Sequence, residues 1–327
     1  MKYQAPLWLP NGNIQTIWAP LFARRFQGQQ PEFRRERWNT PDADFIDVDY
    51  LIRPSKLLGK SKLLVVMFHG LEGSSASHYC ESFADHAKQH GYDFAVAHFR
   101  GCSGEMNLAP RAYHSGDYEE IAWILQRFND GFKGSVVAVG VSLGGNALLR
   151  WAEEMEKSAS KVVKAVVSVC SPLDLAAGGR AIGVGFNKLV YTRRFLASMK
   201  PKALIKHQQH PGLFDLQAII NAEDLYAFDN AFTAPLHGFK NTEDYWSRCS
   251  AKPHLHKIKI PALVINSKND PFIPASSLPK VKEVGSWVKL WKPEEGGHVG
   301  FTSGEFPGHL DALPRNVMQW FYSLSAS

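Results

Sequence analysis

Cysteine is scarce in this chain. Cys80, Cys102, Cys170 and Cys249 are the only four in 327 residues. None stands at the spacing of a paired framework or a thiolate metal site, which argues against a disulfide scaffold or Cys-based zinc and suits a reducing compartment. Long apolar runs are missing too. No stretch approaches the ~20 residues that a membrane-spanning helix needs. The opening MKYQAPLWLP has no apolar core like that of a secretory signal, so a cytoplasmic location is the expectation. Low-complexity windows and repeats of solenoid period are absent as well. What remains is one large domain, or one domain with an insertion.

Hydrophobic residues make up 45% and charged residues 21%, an ordinary globular composition with ample material for a core. The formal net charge is +6. Part of the excess sits early, at Arg24, Arg25, Arg34, Arg35 and Arg37. Such a cluster reads plainly as a solvated basic face and more sharply as a site of attraction to anionic membrane or nucleic acid. No nucleic-acid motif accompanies the charge, so that partner is not expected.

Residues 34–38 and 45–51 flank the turn residues PDAD and read as an antiparallel pair. Apolar runs at 62–70, 92–101, 135–141, 161–169 and 262–266, with a shorter one at 288–291, read as strands buried on both faces. Helix-like runs at 78–90, 115–129, 144–156 and 311–324 separate them. Alternation of this kind predicts an α/β fold, a mostly parallel sheet with antiparallel strands at its N-terminal edge. From 173 to 257 the rhythm breaks into aromatic and basic helix-like pieces. That excursion is too long for a plain loop. It predicts a helical cap inserted into a core formed by residues 1–172 and 258–327.

The run Gly140-Val141-Ser142-Leu143-Gly144 lies where a buried strand turns into a helix. A serine hydroxyl is a poor nucleophile unless a base takes its proton and a turn presents its oxygen. Such a turn is strained and crowded, and glycines two residues either side of the serine permit it. Ser142 is therefore the candidate nucleophile. On this kind of fold the acid and then the histidine follow in chain order. Asp270, after the strand near 262–266, and His298, in the glycine-flanked loop after 288–291, meet that order. Asp174 is a rival acid, and His114 and His309 are rival bases. Leu143 N–H and Leu71 N–H, the latter in HGLEGSS (69–75), are the candidate oxyanion donors. His69 reads as an orienting or packing residue. HLH (254–256) lacks a third metal ligand, and GVGFNK (183–188) lacks the third glycine and preceding strand of a dinucleotide site. No cofactor or metal is required.

Taken together, HGLEGS, FRGCSG (99–104), YHSG (113–116), GVSLGGN (140–146), NDPF (269–272) and GGHVGF (296–301) resemble the YheT-type branch of the α/β-hydrolases. WLPNGNIQTI (8–17) and FTAPLHGF (232–239) resemble it too, so the likeness spans nearly the whole chain. That branch is related to the abhydrolase-domain lipases of animals and is regarded as one of carboxylesterases. The resemblance implies a Ser142–Asp270–His298 triad that hydrolyses carboxylic esters through an acyl-enzyme, with short- to medium-chain acyl esters the expected substrates. Thioesterase, amidase or lipase chemistry would use the same triad, and a ligand-binding protein without turnover is the alternative of a different class. Leu189, Tyr191, Phe195, Leu196, Phe214, Phe228 and Phe232 either line an acyl pocket or pack the insertion onto the core. Peripheral membrane contact rests on the basic cluster alone.

Overall fold

A computed structural model describes residues 1–53 and 61–325. Its strands are β1 (Phe33–Asn39), β2 (Phe45–Leu51), β3 (Leu63–Phe68), β4 (Asp93–Ala97), β5 (Ser135–Val141), β6 (Val166–Val169), β7 (Ala262–Ile265) and β8 (Val288–Trp291). They form one sheet in the spatial order β1-β2-β4-β3-β5-β6-β7-β8. β1 pairs antiparallel with β2 and β2 antiparallel with β4, and every other pairing is parallel.

Both faces are covered, which is why the central strands are apolar throughout rather than alternating. In β3, Leu64, Val66 and Phe68 point to one side with Ile121, Leu125, Phe128, Leu148 and Trp151. These come from helices α3 (Tyr118–Gly131) and α4 (Leu143–Met155), which follow α1 (Gly12–Leu21) and α2 (His78–His90) in the chain. Val65 and Met67 point the other way, toward Phe83 and Ala87 of α2 and Val317 and Phe321 of the C-terminal helix Ala312–Ser325.

Between β6 and β7 the chain is helical. It passes through α5 (Leu175–Ile182) and a continuous stretch from Gly185 to Gln209 that contains a π-turn at Lys188–Thr192. A second π-turn, Asp229–Thr233, interrupts the helix Leu225–Leu236, and the helix Thr242–Cys249 follows. This segment has a small core of its own, built from Leu196, Ala203, Phe214, Ile219, Phe228 and Phe232.

Three features depart from the sequence expectations. Helix α1 was not anticipated, because its Gly12 and Pro20 are breakers and its buried residues include Gln15 and Thr16. β6 is shorter than 161–169, since Glu156–Lys161 forms a 3-10 turn and the N–H groups of Val162 and Val163 bond back to Ala159 O. The early arginines are not a free basic face. Arg35 and Arg37 make bidentate pairs with Asp49 and Asp47, their partners directly across β1–β2, and Arg25 pairs with Glu81 at 2.8 Å.

Asp44, in the β1–β2 turn, holds down the loop that leads toward α3. Its fully buried carboxylate accepts from Arg100 (2.7 Å), Asn107 (2.8 Å) and the amides of Leu108 (2.7 Å), Ala109 (3.0 Å) and Phe45 (2.9 Å). Burial pushes its pKa up, but the hydrogen bonds outweigh burial and hold it at about 2. Asp44→Ala should destabilise by about 3 kcal/mol in urea titration, because it strips an acceptor from a buried cation, three backbone amides and the Asn107 side chain. In the wild type this stabilisation should be intact above the ordinary value of 3.8 and be lost as pH falls through about 2.

Candidate active site

The end of β5 creates the site. Ser142 follows Val141 with φ 52° and ψ −120°, a backbone that side-chain-bearing residues rarely adopt. Close packing enforces it. A Cβ on Gly144 would stand 2.4 Å from His69 O, and one on Gly140 would stand 2.5 Å from Gly144 O. Ser142 N–H bonds Val169 O across the sheet (2.8 Å), and α4 begins at the next residue. The hydroxyl is thus presented at the carboxyl edge of the sheet, beside the positive end of a helix dipole.

The loops after β7 and β8 bring Asp270 and His298 to the same edge. His298 Nε2 lies 3.0 Å from Ser142 Oγ, and His298 Nδ1 lies 2.9 Å from Asp270 Oδ2. The carboxylate can only accept, so it assigns the proton to Nδ1 and leaves Nε2 as acceptor for the serine hydroxyl. Asp270 Oδ1 is occupied by the Phe272 N–H (2.8 Å), and the Phe272 ring lies 4.1 Å from the imidazole centroid.

These two loops lean on α1. Gln15 Oε1 accepts from Asn269 Nδ2 and from Gly296 N–H (both 2.9 Å), and Asn269 Oδ1 accepts from Gly297 N–H (2.9 Å). Thr16 Oγ1 accepts from His298 N–H itself (2.8 Å). A Cβ on Gly12 would fall 1.8 Å from Asn269 O, so α1 packs backbone to backbone against the acid loop. The available signal was the WLPNGNIQTI segment (8–17), which contains both residues and already forms part of the family resemblance.

Leu71 and Leu143 sit on either side of Ser142, on the loop after β3 and the first residue of α4. Among the described residues, neither backbone N–H has a protein acceptor. The Leu71 loop is braced from two directions. Glu72, at φ 57°, receives the Tyr113 hydroxyl proton on Oε1 (2.9 Å) and pairs through Oε2 with Lys202 of the inserted helix (2.8 Å). His69 is spoken for. Phe99 N–H donates to its Nε2 (3.0 Å), so its proton is on Nδ1, donated to Gly70 O (2.8 Å). Burial, aided by His98, pushes its pKa down to about 3. It is neutral and structural.

Above the serine lies an apolar cleft of about 110 Å³, lined by Leu175, Gly178, Ile182, Phe195, Met199 and Trp246 among others. Gly178 and Gly179 keep it open and let the Trp246 ring close one wall; a Cβ on Gly179 would stand 2.4 Å from that ring. A second arm leads past Leu71 and Leu143 to Phe228, Phe232, Lys202 and Lys206. Asp229, on the second π-turn, borders both arms and accepts from Thr233 Oγ1 (2.7 Å) and Trp246 Nε1 (2.9 Å). Burial pushes its carboxyl up to about 6 against those two bonds.

Other residues singled out from sequence lie elsewhere. Asp174 caps α5, its Oδ1 accepting Ala177 N–H (3.0 Å). His114 packs on His237 (4.4 Å) and His309 contacts Ser303. HLH (254–256) falls in a 3-10 turn, and among the described residues no group of three or more His, Cys, Asp or Glu side chains could hold a metal ion. GVGFNK (183–188) belongs to the inserted helices. Of the seven candidate lining residues, Phe195, Phe228 and Phe232 border the cleft. Leu196 and Phe214 pack within the insertion, Tyr191 bonds Asn13 (2.9 Å), and Leu189 is exposed.

The model of the alpha/beta hydrolase fold matches residues 64–305. The chain is 37% identical to "Putative esterase YheT" of Escherichia coli (strain K12), over 95% of this chain and 90% of that one. It is 24% identical to phospholipase ABHD3 of Homo sapiens (98% of this chain, 79% of that one) and 25% identical to monoacylglycerol lipase ABHD2 of Mus musculus (98% and 79%). Among solved structures, the Pyrococcus furiosus esterase Pf2001 superposes with a TM-score of 0.54 at 16% identity, covering 92% of this chain and 95% of that one. At that identity the likeness speaks for the fold.

Gln15→Ala should remove one acceptor from two donors, the Asn269 amide and the Gly296 N–H. We expect a loss of about 1–3 kcal/mol in chemical denaturation. The His298 imidazole resonances in NMR spectra should broaden, while those of His69 stay sharp.

Proposed function

The chain belongs to the α/β-hydrolase family, and from that premise we propose that it is a serine hydrolase of carboxylic esters in which Ser142, His298 and Asp270 form the triad. The observation that carries this reading is the continuous hydrogen-bonded line Ser142 Oγ–His298–Asp270, at 3.0 and 2.9 Å, ending on a serine in a strained turn. In this mechanism His298 Nε2 takes the hydroxyl proton as Oγ attacks the acyl carbon. Asp270 keeps the imidazole in the required tautomer and stabilises its charged form. The N–H groups of Leu71 and Leu143 receive the oxyanion. His298 then protonates the leaving alcohol, a water attacks the acyl-enzyme with His298 as base, and the acid departs as Ser142 regains its proton.

Residues 173–257 act as a cap on a core of 1–172 and 258–327, with Phe195, Met199 and Trp246 supplying apolar walls for the substrate. The modest size of the cleft favours short- to medium-chain acyl groups. Two of the relatives are named as a phospholipase and a monoacylglycerol lipase, and phospholipids and monoacylglycerols are the longer-chain comparison for this site.

A fluorophosphonate probe should label the wild type and leave Ser142→Ala unlabelled; a folded wild type that resists labelling would instead support a binding protein. His298→Ala should lower kcat by roughly 10³-fold or more, about as much as loss of Ser142, because the triad works as a unit. Asp270→Asn should be severely impaired and Asp174→Asn near wild type. A p-nitrophenyl ester series read by kcat/KM should peak at short or medium chains.

Asp229 adds a pH signature. Its carboxyl is neutral below about 6 and charged above, and a charge in an apolar cleft opposes an apolar acyl group. KM for a neutral ester should therefore rise as pH increases through about 6 in the wild type and stay flat in Asp229→Asn. The kcat profile should be common to both proteins.

A further inference from the structure

The helical stretch Gly185–Gln209 is apolar on the wrong side. Its inner face carries the buried Leu196 and Ala203, with Phe195 and Met199 over the cleft. Its outer stripe runs Phe186, Leu189, Val190, Arg193, Arg194, Ala197, Pro201, Leu204 and Ile205, every one exposed. The steps between them are those of a single helical face. Leu189 is 71% exposed, Phe186 52% and the neighbouring Val184 64%. A solvent-facing stripe on a surface helix is normally polar or charged, and a helix apolar all round is normally covered on both sides. Something apolar belongs on the outside.

Charge says what kind of surface that is. Residues 175–214 contain seven Lys or Arg (Arg180, Lys188, Arg193, Arg194, Lys200, Lys202, Lys206) and no Asp or Glu. Arg35 and Arg37 are neutralised across β1–β2 and Arg25 by Glu81, whereas Arg180, Arg193 and Arg194 are exposed and, among the described residues, have no carboxylate partner. Exposed aliphatic and aromatic groups flanked by unpaired cations are the pattern of a helix lying in the headgroup layer of an anionic bilayer. A second copy of this chain is a poorer occupant, since a two-fold contact through this stripe would set the Arg193 and Arg194 of each copy against those of the other.

We propose that the outer face of the 185–209 helix docks on an anionic lipid surface and seats the mouth of the cleft at the lipid–water boundary. The same helix connects the two. Phe186 of the outer stripe contacts the buried Tyr191 (6.1 Å between centroids), Tyr191 packs on Phe272 (4.6 Å), and Phe272 packs on His298 (4.1 Å). A substrate leaving the headgroup layer beside Phe186 and Leu189 would meet Phe195 next. Docking is a property of the surface and does not depend on the catalytic reading above.

The test is co-sedimentation of the full chain with vesicles of phosphatidylcholine alone or mixed with phosphatidylglycerol. Wild type and Ser142→Ala should both bind the mixed vesicles, more weakly as salt is raised, and bind pure phosphatidylcholine poorly. The pair Arg193→Ala/Arg194→Ala should weaken binding roughly tenfold or more, at about fivefold for each cation lost near the surface. Phe186→Ser/Leu189→Ser should abolish binding at unchanged net charge and unchanged circular dichroism. Lys157→Ala/Lys161→Ala, which removes two charges outside the insertion, should bind at least fivefold better than the arginine pair. Equal loss in the lysine and arginine pairs would overturn the proposal, as would a wild type that fails to bind mixed vesicles at low salt. So would a dimer in analytical ultracentrifugation that the Phe186/Leu189 variant dissolves while vesicle binding is unchanged. If docking holds and fluorophosphonate labelling fails, the surface stands and the esterase reading falls.

Discussion

The backbone of Ser142, held at φ 52° between two residues that tolerate no side chain, is the constraint around which the rest of the site is arranged. A side-chain-bearing residue in that region costs of order 1–3 kcal/mol and persists only when its surroundings over-determine it. Here they do. β5 is paired on both sides, Ser142 N–H is tied to Val169 O, and Gly144 is pressed against the carbonyls of Phe68 and His69. The last contact also brings the Leu71 loop alongside the serine. One close approach thus sets the position of the hydroxyl and of two unpaired amides together.

Parts of the site that lie far apart in the chain are held by polar groups satisfied deep inside the protein. His298 reaches Ser142 because its loop is bonded to Thr16 and Gln15, some 280 residues earlier. Asp270 is set by the same helix through Asn269. Unpaired buried polar groups are costly, so a network in which each donor has one acceptor resists rearrangement more than apolar packing of equal area. The Glu72–Tyr113–Lys202 contacts do the same for the Leu71 loop, and they tie it to the inserted helices.

That connection gives the inserted segment three surfaces with different chemistry. It has an apolar core of its own, an apolar wall above the serine bordered by the acid Asp229, and an outer stripe of exposed hydrophobic and basic residues. An insertion that served only to pack on the sheet would need the first alone. The second gives the proposed esterase its acyl selectivity. The third places the entrance of the cleft where apolar esters are concentrated.

Much of this was legible in the residues themselves, wherever the governing physics is local. Apolar runs long enough only for strands, alternating with amphipathic helices, specified a covered parallel sheet, because each element must bury its own apolar face. Glycines flanking Ser142 announced a turn that no other residue type accommodates. Chain order marked Asp270 and His298, and His298 lies within hydrogen-bond reach of both Asp270 and Ser142. What stayed illegible depended on which groups meet across the fold. Asp174 and Asp270 are equivalent as local sequence, and only the folded chain spends one on capping a helix and sets the other against an imidazole. Arg35 and Arg37 looked free until β2 laid Asp49 and Asp47 opposite them. Gln15 and Thr16 carried no mark of their role, because a side chain's polarity belongs to its own chemistry, whereas its burial and its partners are decided by segments hundreds of residues away.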